Sequence, residues 1–160
     1  MNPVGPRVEC PGNRGTGWVL AQTILLVGGV ASGPLRSGDW HSPVGLGFGA
    51  VLFVAAGILG VTGAIQLGSN RTPFPAPRPG SALIRHGVYA WCRHPLYASL
   101  MLAGVAWALL WQSRWAAALA LFQIPFFFAK STVEERQLRR RFPNYAEYAR
   151  QVKRFLPGVF

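Results

Sequence analysis

The sequence predicts an all-α integral membrane protein with about four transmembrane helices. A cytoplasmic, re-entrant link joins the second and third helices, and C-terminal helices gather at the same membrane face. Three observations predict this. Charged residues make up 13% of the chain, about half the roughly 25% of a soluble domain. Apolar residues make up 51% and collect in long runs. Lys and Arg number 16 against 5 Asp and Glu, and most lie between or beyond those runs. At 160 residues the chain holds one domain.

Residues 1–16 are rich in Pro and Gly and read as a loose N-terminus. The first apolar run spans 17–35, GWVLAQTILLVGGVASGPL. Arg7 and Arg14 before it, and Ala31-Ser32-Gly33 after its core, have the layout of a cleaved signal peptide. The long, irregular stretch before Arg14 favours a retained anchor. The second run, 44–67, easily supplies the ~20 apolar residues that a span needs. The third, 96–111, and the fourth, 115–129, are shorter, and Gln112-Ser113-Arg114 separates them. One continuous helix would put Arg114 near the bilayer centre, at about 2.5–3.5 kcal/mol or more. A tight hairpin over 96–130 avoids that cost.

The link, 68–95, alternates Pro73, Pro75, Pro77 and Pro79, which favours extended polyproline-like backbone. Leu83, Ile84, Val88, Tyr89 and Trp91 then supply apolar anchors, so the link is expected along the membrane surface before it re-enters the protein. The proline part alone also suits a stiff spacer. In the tail, 131–160, Ser131 with Glu134 three residues on has the form of a capping box, unless the preceding helix simply continues. Phe142-Pro143-Asn144 is a break. A second short helix follows from about 145 to 154, with Tyr145, Tyr148 and Val152 on one face.

Charge sets the orientation. Residues 71–94 carry Arg71, Arg78, Arg85 and Arg93, and the stretch from Lys130 to Arg154 carries eight more Lys and Arg. The other two connections hold only Arg36 and Arg114. The positive-inside rule then places both termini and the link in the cytoplasm. A net charge of +11 could suggest nucleic acid, but its placement between apolar runs excludes that reading. The expected partner is the lipid bilayer, on whose anionic face each base near the surface is worth about 1 kcal/mol. Cys10 and Cys92 would both be cytoplasmic, so no disulfide is expected, and no metal site is expected. Cys92 beside Arg93 could be a low-pKa thiol, or more simply a small buried residue.

The densest polar chemistry is WCRHPLY, 91–97. A residue before proline favours extended backbone, and proline suits the first helical turn. Arg93-His94-Pro95 therefore marks a helix start, whose free N–H groups could take an anion. An interfacial anchor fits equally well. Of the 5 carboxylates, Glu134 and Glu135 are adjacent and point in different directions on a helix. Glu135 has Arg139 four residues on, and Glu134 has Leu138. One carboxylate is then structural, and the other is open to a ligand.

These segments resemble a known family. GVYAWCRHPLYASLML, followed beyond the hairpin by EERQLRRRFPNYAEYARQVKRFLP, is similar to the isoprenylcysteine carboxyl methyltransferase and phospholipid methyltransferase superfamily. The matching residues are Gly87, Tyr89, Arg93, His94, Pro95, Tyr97, Glu134, Glu135, Leu138, Phe142, Tyr145, Tyr148, Leu156 and Pro157. They cover about the C-terminal half. Pro143 departs from the usual Gly after Phe142.

The resemblance implies a membrane methyltransferase that uses S-adenosylmethionine, with the cofactor in a cytoplasmic pocket between the Arg-His-Pro segment and the C-terminal helices. By carry-over, Tyr89, His94, Pro95 and Tyr97 line that pocket, and Glu134 or Glu135 pairs with the cofactor's ammonium. Arg93 fixes the segment or the cofactor's carboxylate. Arg150 and Arg154 stand near the position where related enzymes engage a substrate carboxylate. Aromatic faces such as Tyr97 or Trp91 could steady the sulfonium. The acceptor is a small or lipophilic thiol, carboxylate or amine. Two alternatives stay open: an NADPH-dependent membrane reductase of the sterol-reductase type, and a non-catalytic protein that retains the fold. Pro95, where such reductases have Asn, and the short chain speak against the first. The intact polar sets speak against the second.

Overall fold

In a computed structural model of the chain, residues 15–155 are described. Arg7, Cys10, Arg14, Leu156 and Pro157, named above, lie outside them. The described part is all-helical: α1 (Thr16–Leu35), α2 (Pro43–Leu67), α3 (Pro95–Trp111), α4 (Arg114–Arg141) and α5 (Tyr145–Gln151), with short 3-10 turns at Gly68–Asn70 and Gly87–Ala90. α1, α2 and α4 are long and apolar enough to cross a membrane. α3 is apolar but has 17 residues, about 25 Å of helix. The chain is an integral membrane protein.

The helices meet through small residues, as expected where lipid competes equally for large apolar side chains. In α2 the buried residues are Gly49, Ala56 and Gly63, every seventh position. They face α3, which α2 contacts most extensively. The outer face of α2, including Val51, Val54, Ile58, Val61 and Ile65, is exposed, as is the Leu20–Ile24–Val27 stripe of α1. Those faces suit hydrocarbon. At Gly33 in α1 a Cβ would come within 2.5 Å of the Trp107 ring and 2.7 Å of Trp111, so only glycine admits the indoles.

The hairpin separating α3 from α4 forms as expected. Gln112 caps α3 in a left-handed conformation at φ 50, and Ser113 caps α4 by accepting from the Ala116 amide at 3.3 Å. This end is sewn to the last turn of α1 and to the α1–α2 loop. Ser113 donates to the Ser32 carbonyl at 3.1 Å, and Asp39 accepts from the Arg114 amide at 2.8 Å and pairs with its guanidinium at 3.3 Å. The start of α1, the ends of α2 and α4 and the start of α3 therefore share the opposite face.

Two tail expectations are corrected. Ser131 does not cap a new helix. It is fully buried in the interior of α4, where its hydroxyl donates back to the Phe128 carbonyl at 2.9 Å. Extending an existing helix costs less than nucleating another, so α4 runs 28 residues, from Arg114 to Arg141. The second tail helix stops at Gln151 rather than near 154. Beyond it the backbone extends, because the Arg93 and His94 amides need acceptors. They donate to the carbonyls of Lys153 and Arg154, both at 3.0 Å, in a short parallel bridge of Cys92 with Lys153.

Candidate functional site

The site forms where the start of α3, the last turns of α4 and α5 converge under the link. Pro95 opens α3 and is almost fully buried, with His94 at its N-cap. The segment before it is fixed by Gly87, at φ 62. A Cβ there would collide with the Gln66 amide, whose oxygen accepts from the Val88 amide at 2.9 Å. The Tyr148 hydroxyl, from α5, donates to the Tyr89 carbonyl at 2.6 Å. The Arg93 guanidinium donates to the Ala149 carbonyl at 3.0 Å. These bonds lock the Arg-His-Pro segment between α2 and the tail.

The two glutamates have separate surroundings. Glu135 is buried and held on three sides. Its Oε1 lies 3.3 Å from Arg93, 3.2 Å from His94 Nε2 and 3.1 Å from Arg154 Nε. Arg154 also donates to Glu135 Oε2 at 3.2 Å and to the Thr132 hydroxyl at 3.0 Å. The pairing of Glu135 with Arg139 does not form, because Arg139 lies over the Tyr145 ring at 5.7 Å. Glu134 is partly exposed, accepts from the Tyr97 hydroxyl at 2.8 Å, and lies 3.8 Å from His94 Nδ1. The His94 ring is stacked on Tyr97 with a 7° interplanar angle.

Beside Glu134 opens a pocket with a cavity volume of about 120 Å³. Tyr89, Arg93, His94, Pro95, Tyr97 and Glu134 line it. The link supplies the facing wall with Thr72, Pro77 and Ser81, and is therefore more than a spacer. Of the other expected site residues, Glu135 and Arg154 form the ion cluster and are not pocket walls. Arg150 is exposed at the end of α5 and has no ion pair or hydrogen bond among the described residues. Trp91 is 70% exposed and is not at the pocket.

Sequence reasoning missed two residues. Tyr145 is 1% exposed and lines the pocket, and its hydroxyl has no partner among the described residues. Its place in the Tyr-x-x-Tyr spacing was a signal, but that pattern reads equally as a packing face. Lys130 is also 1% exposed, one turn below Glu134. Burial first, with nearby carboxylate charge next, holds the phenols of Tyr89 and Tyr145 above their ordinary range. Burial likewise raises Tyr148. All three are neutral donors at physiological pH. Burial also pushes the Cys92 thiol up to about 11, against the lowering effects of the His94 backbone and Arg93. Cys92 is thus a packed, inert thiol.

The donors suit a zwitterionic ligand. Among the described residues the buried Arg93 Nε and Tyr145 hydroxyl are without partners, and both residues line the pocket together with a partly exposed carboxylate and the Tyr97 ring. An unpaired buried donor is costly, and a ligand with both an anionic and a cationic group would relieve that cost here.

Comparison with known proteins agrees with this architecture. The chain is 30% identical over 143 residues to the cobalt-zinc-cadmium resistance protein CzcN of Cupriavidus metallidurans, covering 89% of this chain and 62% of that protein. It is 29% identical over 143 residues to the nickel-cobalt-cadmium resistance protein NccN of Alcaligenes xylosoxydans xylosoxydans, covering 89% of this chain and 63% of that one. The chain thus spans under two thirds of the length of these curated relatives. A family model for phospholipid methyltransferases matches residues 44–145. That match takes in α2, the link, α3, α4 and the Glu134-Glu135 pair, and by it this membrane protein belongs to the phospholipid methyltransferase family.

Proposed function

We propose that this chain is a methyltransferase that takes its methyl group from S-adenosylmethionine at the cytoplasmic membrane face and passes it to a small or lipophilic acceptor. The observation that carries the reading is the division of labour between the glutamates. Glu135 is consumed by Arg93, His94 and Arg154, whereas Glu134 stands on the pocket wall. Glu134 would hold the cofactor's ammonium. Arg93 Nε and the Tyr145 hydroxyl would hold its carboxylate or ribose oxygens.

When bound, the cofactor supplies an electrophilic methyl on a positively charged sulfur. The protein's task is then positioning and exclusion of water, which account for much of such a rate enhancement. The Tyr97 hydroxyl, donating to Glu134, fixes the carboxylate that would hold the ammonium. His94, stacked on the Tyr97 ring, keeps that ring in place. Pro95 and Leu96 make the adjoining wall apolar, which favours a reaction in which the sulfonium charge disappears. No protein nucleophile is needed, because the acceptor provides the attacking atom.

The reading is tested by calorimetry on the detergent-purified protein. S-adenosylmethionine should bind and NADPH should not, and Glu134→Gln should abolish the binding. Tight NADPH binding with none of the methyl donor would overturn it.

A further inference from the structure

His94 stands between the two glutamates with one ring nitrogen toward each. It is 6% exposed and lines the pocket. Its Nε2 lies 3.2 Å from Glu135 Oε1. Its Nδ1 lies 3.8 Å from Glu134 Oε2, too far for a hydrogen bond, and gives no cap bond to α3. The stack on Tyr97, with an interplanar angle of 7°, and the Phe155 ring at 6.0 Å hold the imidazole in this orientation.

The surroundings decide where its proton is. Arg93 comes from the segment before α3 and Arg154 from the chain beyond α5, and both reach Glu135 of α4. Two guanidiniums thus already answer the charges of Glu134 and Glu135. Lys130, 5.5 Å from the Tyr97 ring centroid, adds a third cation. α3 has 17 residues with His94 at its N-cap, and the helix dipole there opposes a positive charge. A protonated ring would be a surplus cation, so the imidazole is neutral and carries one proton. Glu135, ionised between two guanidiniums, can only accept. The proton is therefore on Nε2 and the lone pair on Nδ1.

Nδ1 and Glu134 Oε2 then face each other as two acceptors with no proton between them. Both belong to residues of the pocket wall. An ammonium has three N–H donors, and one seated against Glu134 would find a second acceptor beside the first. We propose that Glu135 is a positioning residue for that contact: by holding the proton on His94 Nε2 it turns the Nδ1 lone pair to the pocket, where Nδ1 accepts a second hydrogen bond from the ligand ammonium bound by Glu134. The proposal rests on the methyl-transfer reading above, in which that ammonium belongs to S-adenosylmethionine. Glu135 itself touches no ligand. It acts through the tautomer of His94, because a proton moved to Nδ1 would set a donor against the donors of the ammonium. The buried ion cluster thereby gains a task in recognition besides its part in folding.

Two readouts test this on the full chain in detergent. The first needs no ligand. With histidine isotope-labelled on the ring nitrogens, NMR near neutral pH should show one of the three histidines as a neutral ring protonated on Nε2 alone, and His94→Gln should remove that signal. An imidazolium, an Nδ1–H ring or a mixture of the two tautomers at position 94 would overturn the proposal. The second readout compares S-adenosylhomocysteine with its analogue in which hydrogen replaces the amino group. The amide of His94→Gln can donate to Glu135 in place of Nε2 and leaves Nδ1 unreplaced. Loss of one hydrogen bond to a charged partner should weaken S-adenosylhomocysteine binding by about tenfold or more, with the analogue within about threefold of the parent. His94→Asn, whose amide oxygen falls near the place of Nδ1, should recover much of that affinity. Equal loss of both ligands by a cooperatively melting His94→Gln protein would reduce His94 to packing and overturn the proposal. The parent's ring spectrum, and its preference for S-adenosylhomocysteine over the analogue, decide the matter even if the variant fails to fold. Binding of neither S-adenosylmethionine nor S-adenosylhomocysteine by the parent would instead overturn the methyltransferase reading, on which the proposal stands.

Discussion

Tyr97 donates a 2.8 Å hydrogen bond to Glu134 across 37 residues of sequence, and this bond joins the first turn of α3 to the last turns of α4. The neighbouring Glu135 is tied to Arg93 and Arg154 instead. Substituting the two glutamates should therefore produce opposite defects. Glu135→Gln leaves Arg93 and Arg154 without a counter-charge, and breaking a buried ion pair typically costs about 3–5 kcal/mol. It should lower the melting temperature sharply in detergent. Glu134→Gln should melt near the parent and lose S-adenosylmethionine binding by calorimetry. The reverse pattern would contradict the assigned roles.

Tyr145→Phe separates ligand binding from folding in another way. The hydroxyl is buried without a partner among the described residues, so its removal relieves an unmet desolvation cost of about 1–3 kcal/mol. The variant should be as stable as the parent or more so, yet bind S-adenosylmethionine more weakly. A loss of stability with unchanged affinity would exclude the hydroxyl from the pocket's chemistry.

Cys92 should be inert. With its pKa raised from 9.0 to about 11, the folded protein holds the neutral thiol more strongly than the unfolded chain does. The associated stability is fully present below about pH 9 and is lost as pH rises through 9 to 11. In a Cys10→Ser background, maleimide should label the denatured chain rapidly near neutral pH and the folded chain very slowly. Rapid labelling of the folded protein would show the thiol to be reachable and ionised.

The inferred orientation needs probes other than that buried thiol. Arg36 and Arg78 are both exposed and lie at opposite ends of α2. In a background lacking Cys10 and Cys92, a membrane-impermeant thiol reagent applied to intact cells should label Arg36→Cys and spare Arg78→Cys. Labelling of the second alone would invert the protein.

The helices were legible because their signals are additive over many residues. The run 44–67 and the Gln112-Ser113-Arg114 break each announce themselves by composition. The motif residues Tyr89, His94, Pro95, Tyr97 and Glu134 were legible as chemistry at one membrane face, and they meet at one pocket. What could not be read were long-range choices among equivalent partners. Arg139 was the obvious partner for Glu135 by helical spacing, but Arg93 and Arg154 reach that carboxylate from distant segments. Ser131 looked like a cap because capping boxes are local patterns, and it lost to the continuity of α4. Lys130 looked like the first member of a basic tail. Only the packing of Gln22 and Pro73 around it reveals that it is buried.

The parallel bridge that hands the Arg93 and His94 amides to Lys153 and Arg154 fixes an order of events in biogenesis. All four long helices precede those acceptors in the chain, so they leave the ribosome and meet the translocon first. The acceptors for the Arg93 and His94 amides emerge only after α5. A nascent chain halted at Gln151 would already hold its helices yet leave the Arg93 and His94 amides without these acceptors.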